Sequence, residues 1–261
     1  MAETNTAGAE QPGANWQLRM VLELQDLASR DSRILALKPH GSAAGHRPHT
    51  DQWSDLDLSI TTTDPTAVAE DFALKISARY SPVFATSRSG TAACYTLRLV
   101  LSDLRRLDIT ATDPTPSGRP TGAAHETGSD AANAVPNLIN EFRFDAVLSA
   151  IKAARRDVLI GAHLALQLAR HVLVIAMLLH DRDAGTNHHR FGDSRWDAWA
   201  SRLAAAPTPY THSDVTAAIR FYLDVFEEVL SEWDVVLPTD NRPLRSLLDA
   251  VDEQLMSHQT R

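Results

Sequence analysis

The chain is 261 residues long, with 44% hydrophobic and 22% charged residues, the make-up of a globular protein that can bury one or two cores. A formal net charge of −8 argues against a broad basic face that grips nucleic acid by its phosphates, but leaves room for a local triphosphate pocket. Cys94 is the only cysteine, which excludes an intramolecular disulfide and a cysteine zinc cluster and suits a reducing, cytoplasmic setting.

Residues 1–15 are small and polar, with neither a basic nor an apolar segment, and are expected to form a disordered tail, not a signal peptide. Leu18, Val21, Leu22, Leu24 and Leu27 recur at helical spacing and predict a helix from Trp16 to Arg30, ended by Asp31-Ser32. Ile34 to Leu37 reads as a first strand, Gly41-Ser42 as a turn, and Leu56 to Thr61 as a second strand. Asp64-Pro65-Thr66 starts a second helix, with Pro just inside it, whose stripe of Val68, Phe72, Ile76 and Tyr80 faces the core. Ser87 to Thr91 reads as a polar turn, followed by strands over Tyr95–Leu101 and Arg105–Thr112.

Residues 113–136 hold four prolines, three glycines and many small polar side chains, a composition expected of a linker or mobile loop. Beyond it the periodicity is helical over Leu138–Ala154, Val158–His180, Ser213–Asp234 and Pro243–Met256. The run from Val158 to Leu179 is apolar, but His163, Gln167, Arg170 and His171 interrupt it, which favours a bundle-core helix over a membrane span. The expected class is therefore α+β: a mixed sheet with helices over residues 16–112, then an all-helical bundle domain over residues 137–261.

The chemistry is concentrated between Gly41 and Ile60. On a strand, Asp55 and Asp57 project from one face while Leu56, Leu58 and Ile60 face the other way. Adjacent carboxylates repel unless a cation lies between them, and hard oxygen ligands on a rigid strand suit Mg²⁺. Gly41 and Ser42 would offer backbone N–H groups and a hydroxyl to phosphate oxygens. Alternatively, the aspartates merely decorate a sheet edge. Asp108 lies on the polar face of its own strand, where it would either join that site or pair with Arg105 or Arg106. His188-His189 and the His46 and His49 pair lack the companions of a good ligand set, so no histidine metal site is expected.

Gly-Ser, a long loop carrying Asp51 and Trp53, and then Asp55-Leu56-Asp57 resemble the signature of the DNA polymerase β-like nucleotidyltransferases, in particular the aminoglycoside 6-adenylyltransferases. The resemblance extends to Val21-Leu22-Glu23-Leu24, Asp31-Ser32-Arg33-Ile34 and Arg106-Leu107-Asp108-Ile109-Thr110, and covers roughly the first 110 residues. It implies that residues 16–112 are catalytic and that 137–261 form a substrate-binding domain. It also implies that Asp55, Asp57 and Asp108 hold two Mg²⁺ ions and that Gly41 and Ser42 hold the triphosphate. A weaker likeness runs through Phe142, Phe144, Lys152 and Arg155-Arg156-Asp157-Val158-Leu159, and by it Lys152 would touch the nucleotide phosphates. Read on its own, Lys152 belongs to a solvated helix face. Glu141 and Asp145 are candidates for acceptor binding across an interdomain cleft, or else acids that stabilise a helix N-terminus. Ala43-Ala44 depart from the family, which usually has an arginine or another polar residue after Gly-Ser.

The implied activity is transfer of a nucleoside monophosphate, from ATP or another NTP, to a hydroxyl of a small molecule with release of pyrophosphate. An aminoglycoside-type antibiotic leads as acceptor. A toxin-like enzyme modifying tRNA or protein, and a catalytically inactive nucleotide-binding module, are the competing readings. No membrane partner is expected, and nucleic acid is disfavoured by the charge.

Overall fold

The computed structural model describes residues 16–41, 51–115, 131–186, 194–233, 237 and 240–259. The chain divides into two compact units, Met1–Gly128 and Ser129–Arg261. In chain order the first holds α1 (Trp16–Ser29), β1 (Ala36–His40), β2 (Leu56–Thr61), α2 (Pro65–Arg79), β3 (Val83–Thr91), β4 (Cys94–Leu101) and β5 (Arg106–Thr112). The second holds α3 (Ala131–Ala154), α4 (Val158–Ala184), α5 (Ala198–Leu203), α6 (His212–Ser231) and α7 (Arg242–Gln259), with a 3-10 turn at Arg195–Asp197 before α5. Five strands and seven helices among the described residues make an α+β protein.

Alternation sorts the sheet into two faces. Leu56, Leu58 and Ile60 on β2, Leu107, Ile109 and Ala111 on β5, and Leu97, Leu99 and Leu101 on β4 are buried. They pack against Met20, Val21 and Leu24 of α1 and Val68, Phe72 and Ile76 of α2 in one core. Both helices therefore lie on the same side of the sheet. The strand order is β1-β2-β5-β4-β3, with β2 and β5 parallel and every other neighbouring pair antiparallel. Residues out of phase with the core, such as Ser59, Thr96 and Thr110, face away from the helices, so the opposite face of the sheet is polar.

Local signals explain the boundaries. Asp64 caps α2 by accepting from Ala67 N at 3.3 Å, with Pro65 inside the first turn where it gives up no bonded N–H. Asp31 is held by Arg33 and Lys75, which moors the segment after α1 to α2, and Arg33 also reaches Asp71. These partners hold the Asp31 carboxyl well below the usual carboxylate range, the Arg33 hydrogen bond most of all.

Several sequence expectations need correction. β1 begins at Ala36, not Ile34, and runs through Pro39; a proline is tolerated there because β1 is an edge strand. Ser87–Thr91 is not a turn but the outer half of β3, polar because the strand ends in an exposed hairpin at the other sheet edge. Leu18 and Leu22 fall on the outer face of α1, at 56% and 70% exposed; Trp16, Gln17 and Ala28 are buried instead. The segment read as linker to residue 136 is shorter, since α3 begins at Ala131 and carries Pro136 in its early turns.

In the second unit every described element is a helix. Phe142 of α3 stacks on Phe226 of α6 with ring centroids 4.0 Å apart, and Arg143 of α3 donates to Asn241 Oδ1 at 2.8 Å beside the start of α7. Arg220 of α6 pairs with Asp249 and Asp252 of α7. α4 continues past His180 to Ala184 and stops where Gly185 takes φ +64°, a left-handed cap that glycine adopts without strain. α4 is long and apolar enough by composition to cross a membrane, yet its buried stripe of Ala165, Leu168, Val172, Ile175 and Leu179 also includes His171 and Asp181.

Candidate active site

Register alone assembles a polar row across the first unit. His40 of β1 pairs with Asp57 of β2, Asp57 with Asp108 of β5, Asp108 with Arg98 of β4, and Arg98 with Ser87 of β3. Paired residues share a face, so the row lies on the polar side of the sheet. Asp55, two residues before Asp57, stands one step along on the same face. The fold thus brings Asp57 and Asp108 side by side on two adjacent parallel strands, with Asp55 immediately before the first of them.

The arginines around them depart from the sequence expectation. Asp108 is paired not with Arg105 or Arg106 but with Arg98, at 3.2 Å. Arg105 instead binds Asp103, and the buried Arg106 lies 3.5 Å from Asp55 and donates to the Trp53 carbonyl. The missed signal is strand pairing: Arg98 is ten residues from Asp108 in sequence but directly opposite it across β4 and β5.

Electrostatics follow the geometry. Burial, and then the charge of Asp55, push the Asp57 carboxyl above its ordinary range, with His40 and the arginines opposing. The Asp108 carboxyl is pushed up to about 6, by burial first and by Asp55 second, against the pull of Arg98. Asp55 is felt at both positions, so the three carboxylates form one field.

Gly41 follows β1 with φ +62°, a conformation that favours glycine. A Cβ there would overlap Asp57 Oδ2 and lie 3.1 Å from its Cγ. Glycine thus lets the Asp57 carboxylate pack directly against the backbone after β1. Ser42, His46 and His49 lie outside the described residues. Asp51 organises its own loop, where its carboxylate accepts from Trp53 N at 3.0 Å and from Ser54 Oγ at 2.8 Å. Gln17 of α1 donates to the Ser54 carbonyl, and Trp53 is buried, so the approach to Asp55 is anchored to the core.

The donor set suits Mg²⁺ in kind, being hard carboxylate oxygens, and two carboxylates are a common protein contribution to that ion. It is not a finished cage. Among the described residues no three His, Cys, Asp or Glu side chains are gathered closely enough to hold a metal.

The remaining candidates belong to the second unit. Lys152 is in the last turn of α3 and pairs with Asp157, the cap of α4, at 3.2 Å. Glu141 and Asp145 are not helix N-terminal acids, because α3 starts ten residues before Glu141; both instead face His171 of α4. The His188-His189 stretch lies outside the described residues. A cavity of about 320 Å³ between α4 and the 3-10 turn, lined by Leu173, Met177, His180 and Trp196, is mainly apolar.

Comparison with known proteins gives little beyond this. No protein-family model matches the chain, and no curated protein does. Among solved structures, an aminoglycoside 6-adenyltransferase from Bacillus subtilis aligns over 92% of this chain and 98% of its own, at 13% identity and a TM-score of 0.33. So loose a superposition carries no argument.

Proposed function

We propose that the chain is a Mg²⁺-dependent nucleotidyltransferase that moves a nucleoside monophosphate, from ATP or another NTP, to a hydroxyl of a small cationic acceptor such as an aminoglycoside. The observation that supports it best is the row of Asp57 and Asp108 on adjacent parallel strands, with Asp55 beside them and Gly41, without a side chain, packed against the Asp57 carboxylate.

Asp55 and Asp57 would hold the metal, with Asp108 joining them once released from Arg98. Bound Mg²⁺ would neutralise the phosphates and carboxylates that otherwise repel and polarise the phosphoryl group. Asp108 would take the proton of the attacking hydroxyl. Arg98 is half exposed and can turn from Asp108 to a phosphate oxygen, which would couple nucleotide arrival to freeing the base. Arg106, bonded to the Trp53 carbonyl and close to Asp55, would keep the first aspartate in place. Gly41 and Ser42 would take the β- and γ-phosphates. Lys152 enters this reading only by exchanging Asp157 for a phosphate. Glu141 and Asp145 are proposed to recognise the acceptor's positive charge.

The test is transfer of α-labelled ATP, with Mg²⁺, to a panel of aminoglycosides, lincosamides and bulk tRNA. Labelled aminoglycoside, lost on adding EDTA or in Asp57→Asn with its fold intact, is the expected result. No metal-dependent transfer to any acceptor, or wild-type turnover by Asp57→Asn, sinks the proposal.

A further inference from the structure

We infer that Glu141, Asp145 and His171 form a recess for one primary ammonium group, and that His171 sets its geometry. This rests on the reading that the acceptor is a cationic amine, and it adds a residue that the carboxylates alone do not suggest.

Glu141 and Asp145 stand one turn apart on α3, a spacing at which like charges repel. Between them comes His171 of α4, only 2% exposed, with Phe142 edge-on to its ring at 6.3 Å. Its Nε2 lies 3.0 Å from Asp145 Oδ2. An ionised carboxylate only accepts, so Nε2 carries the ring proton and donates it. Nδ1 is buried without any hydrogen-bond partner, and in the neutral ring that this recess requires it presents a lone pair. A buried polar atom left in this way is costly, and one that faces a carboxylate marks a place for a donor.

The facing atom is Glu141 Oε2, 3.9 Å away and beyond hydrogen-bonding range of Nδ1. Two acceptors at that separation are bridged by a single nitrogen about 2.8–2.9 Å from each. A hydroxyl has one proton to give and satisfies one of them. A primary ammonium has three, and its charge is answered by Glu141 and by Asp145 behind the ring. A metal ion is a poorer fit, since the three side chains are not gathered as metal ligands. Glu141 is more than half exposed, so its swing opens the way to Nδ1. His171 is thus a positioning residue for Asp145 and a contact for the amine.

The experiment uses the full chain without nucleotide or metal, so it does not depend on transfer. The probe is 2-deoxystreptamine, a cyclic diamine, against its N,N′-diacetyl derivative, which keeps the hydroxyls and loses both cations. Calorimetry should show saturable binding of the diamine alone, weakened roughly tenfold by Glu141→Gln and by His171→Gln, the latter keeping a donor toward Asp145 but no acceptor at the Nδ1 position. Nitrogen-15 spectra of the wild-type imidazole should show a bare Nδ1 that moves on adding the diamine while Nε2 keeps its proton. That measurement decides the matter even if the buried variants fail to fold. Equal binding of the acetylated compound, no binding of the diamine, or a ring protonated on both nitrogens throughout would overturn the inference. So would a His171→Gln variant that loses stability and keeps its affinity. Diamine binding with no ATP-dependent transfer would leave the recess standing and remove the transferase reading.

Discussion

Asp108 illustrates how a residue can be held in a costly state. Its carboxyl is pushed from an ordinary 3.8 up to about 6 by burial and by Asp55, with Arg98 only partly opposing. The folded protein therefore keeps a proton over a pH range where the unfolded chain has released it, and bound protons favour the fold. Stability contributed at Asp108 is present below about 3.8 and lost as pH rises through about 6. Asp108→Asn should remove this penalty and raise the stability of the metal-free protein at pH 7.5 by roughly 1–2 kcal/mol, with little gain at pH 4. Loss of the half-exposed Arg98 pair offsets only a small part. Thermal melts at the two pH values, with transfer assays alongside, check it. The expected result is a more stable protein without turnover, a combination that a purely structural ion pair would not give. In the same metal-free wild type, Mg²⁺ should raise the melting temperature, and Asp55→Asn should blunt that rise.

At the scale of elements, Gly41 directly after β1 is the sensitive joint. Gly41→Ala combines a left-handed backbone with a Cβ driven into Asp57, so a loss of about 1–2 kcal/mol in urea melts is expected. Mg²⁺-dependent ATP binding should fall with it, because the added methyl displaces the Asp57 carboxylate. Equal ATP affinity in wild type and variant would detach Gly41 from the site. What could be read from the sequence follows from the same physics. β2 was legible to the residue, because its apolar alternation is strict and one face is fully buried. α2 was legible because Asp64 and Pro65 mark its start chemically. β3 was not, because an edge strand can be polar on both faces and its hairpin end looks like a loop. The carboxylates were legible as a motif on β2. Their arginines were not, because Arg98 meets Asp108 only through a strand register that no local pattern encodes.

For the molecule as a whole, charge separates the two kinds of acceptor. A formal net charge of −8 attracts a polycation and repels a polyanion over distances set by ionic strength. The screening length falls from about 30 Å at 0.01 M salt to about 8 Å at 0.15 M, so long-range attraction is strong in the first condition and largely gone in the second. An aminoglycoside acceptor should therefore show a KM that rises several-fold across that range with kcat nearly constant, since the field acts on encounter and binding and not on the chemical step. Glu141→Gln and Asp145→Asn should flatten the salt dependence as well as raise the KM, because they remove the charges nearest the proposed ammonium. A tRNA acceptor gives the opposite signs: poor use at low salt, improvement as repulsion is screened, and tighter binding when either acid is neutralised. Steady-state kinetics at the two ionic strengths, with wild type and both variants, separate these outcomes. If KM falls with salt and the variants improve transfer to tRNA, the small cationic acceptor is excluded and the acids of α3 act to keep nucleic acid away.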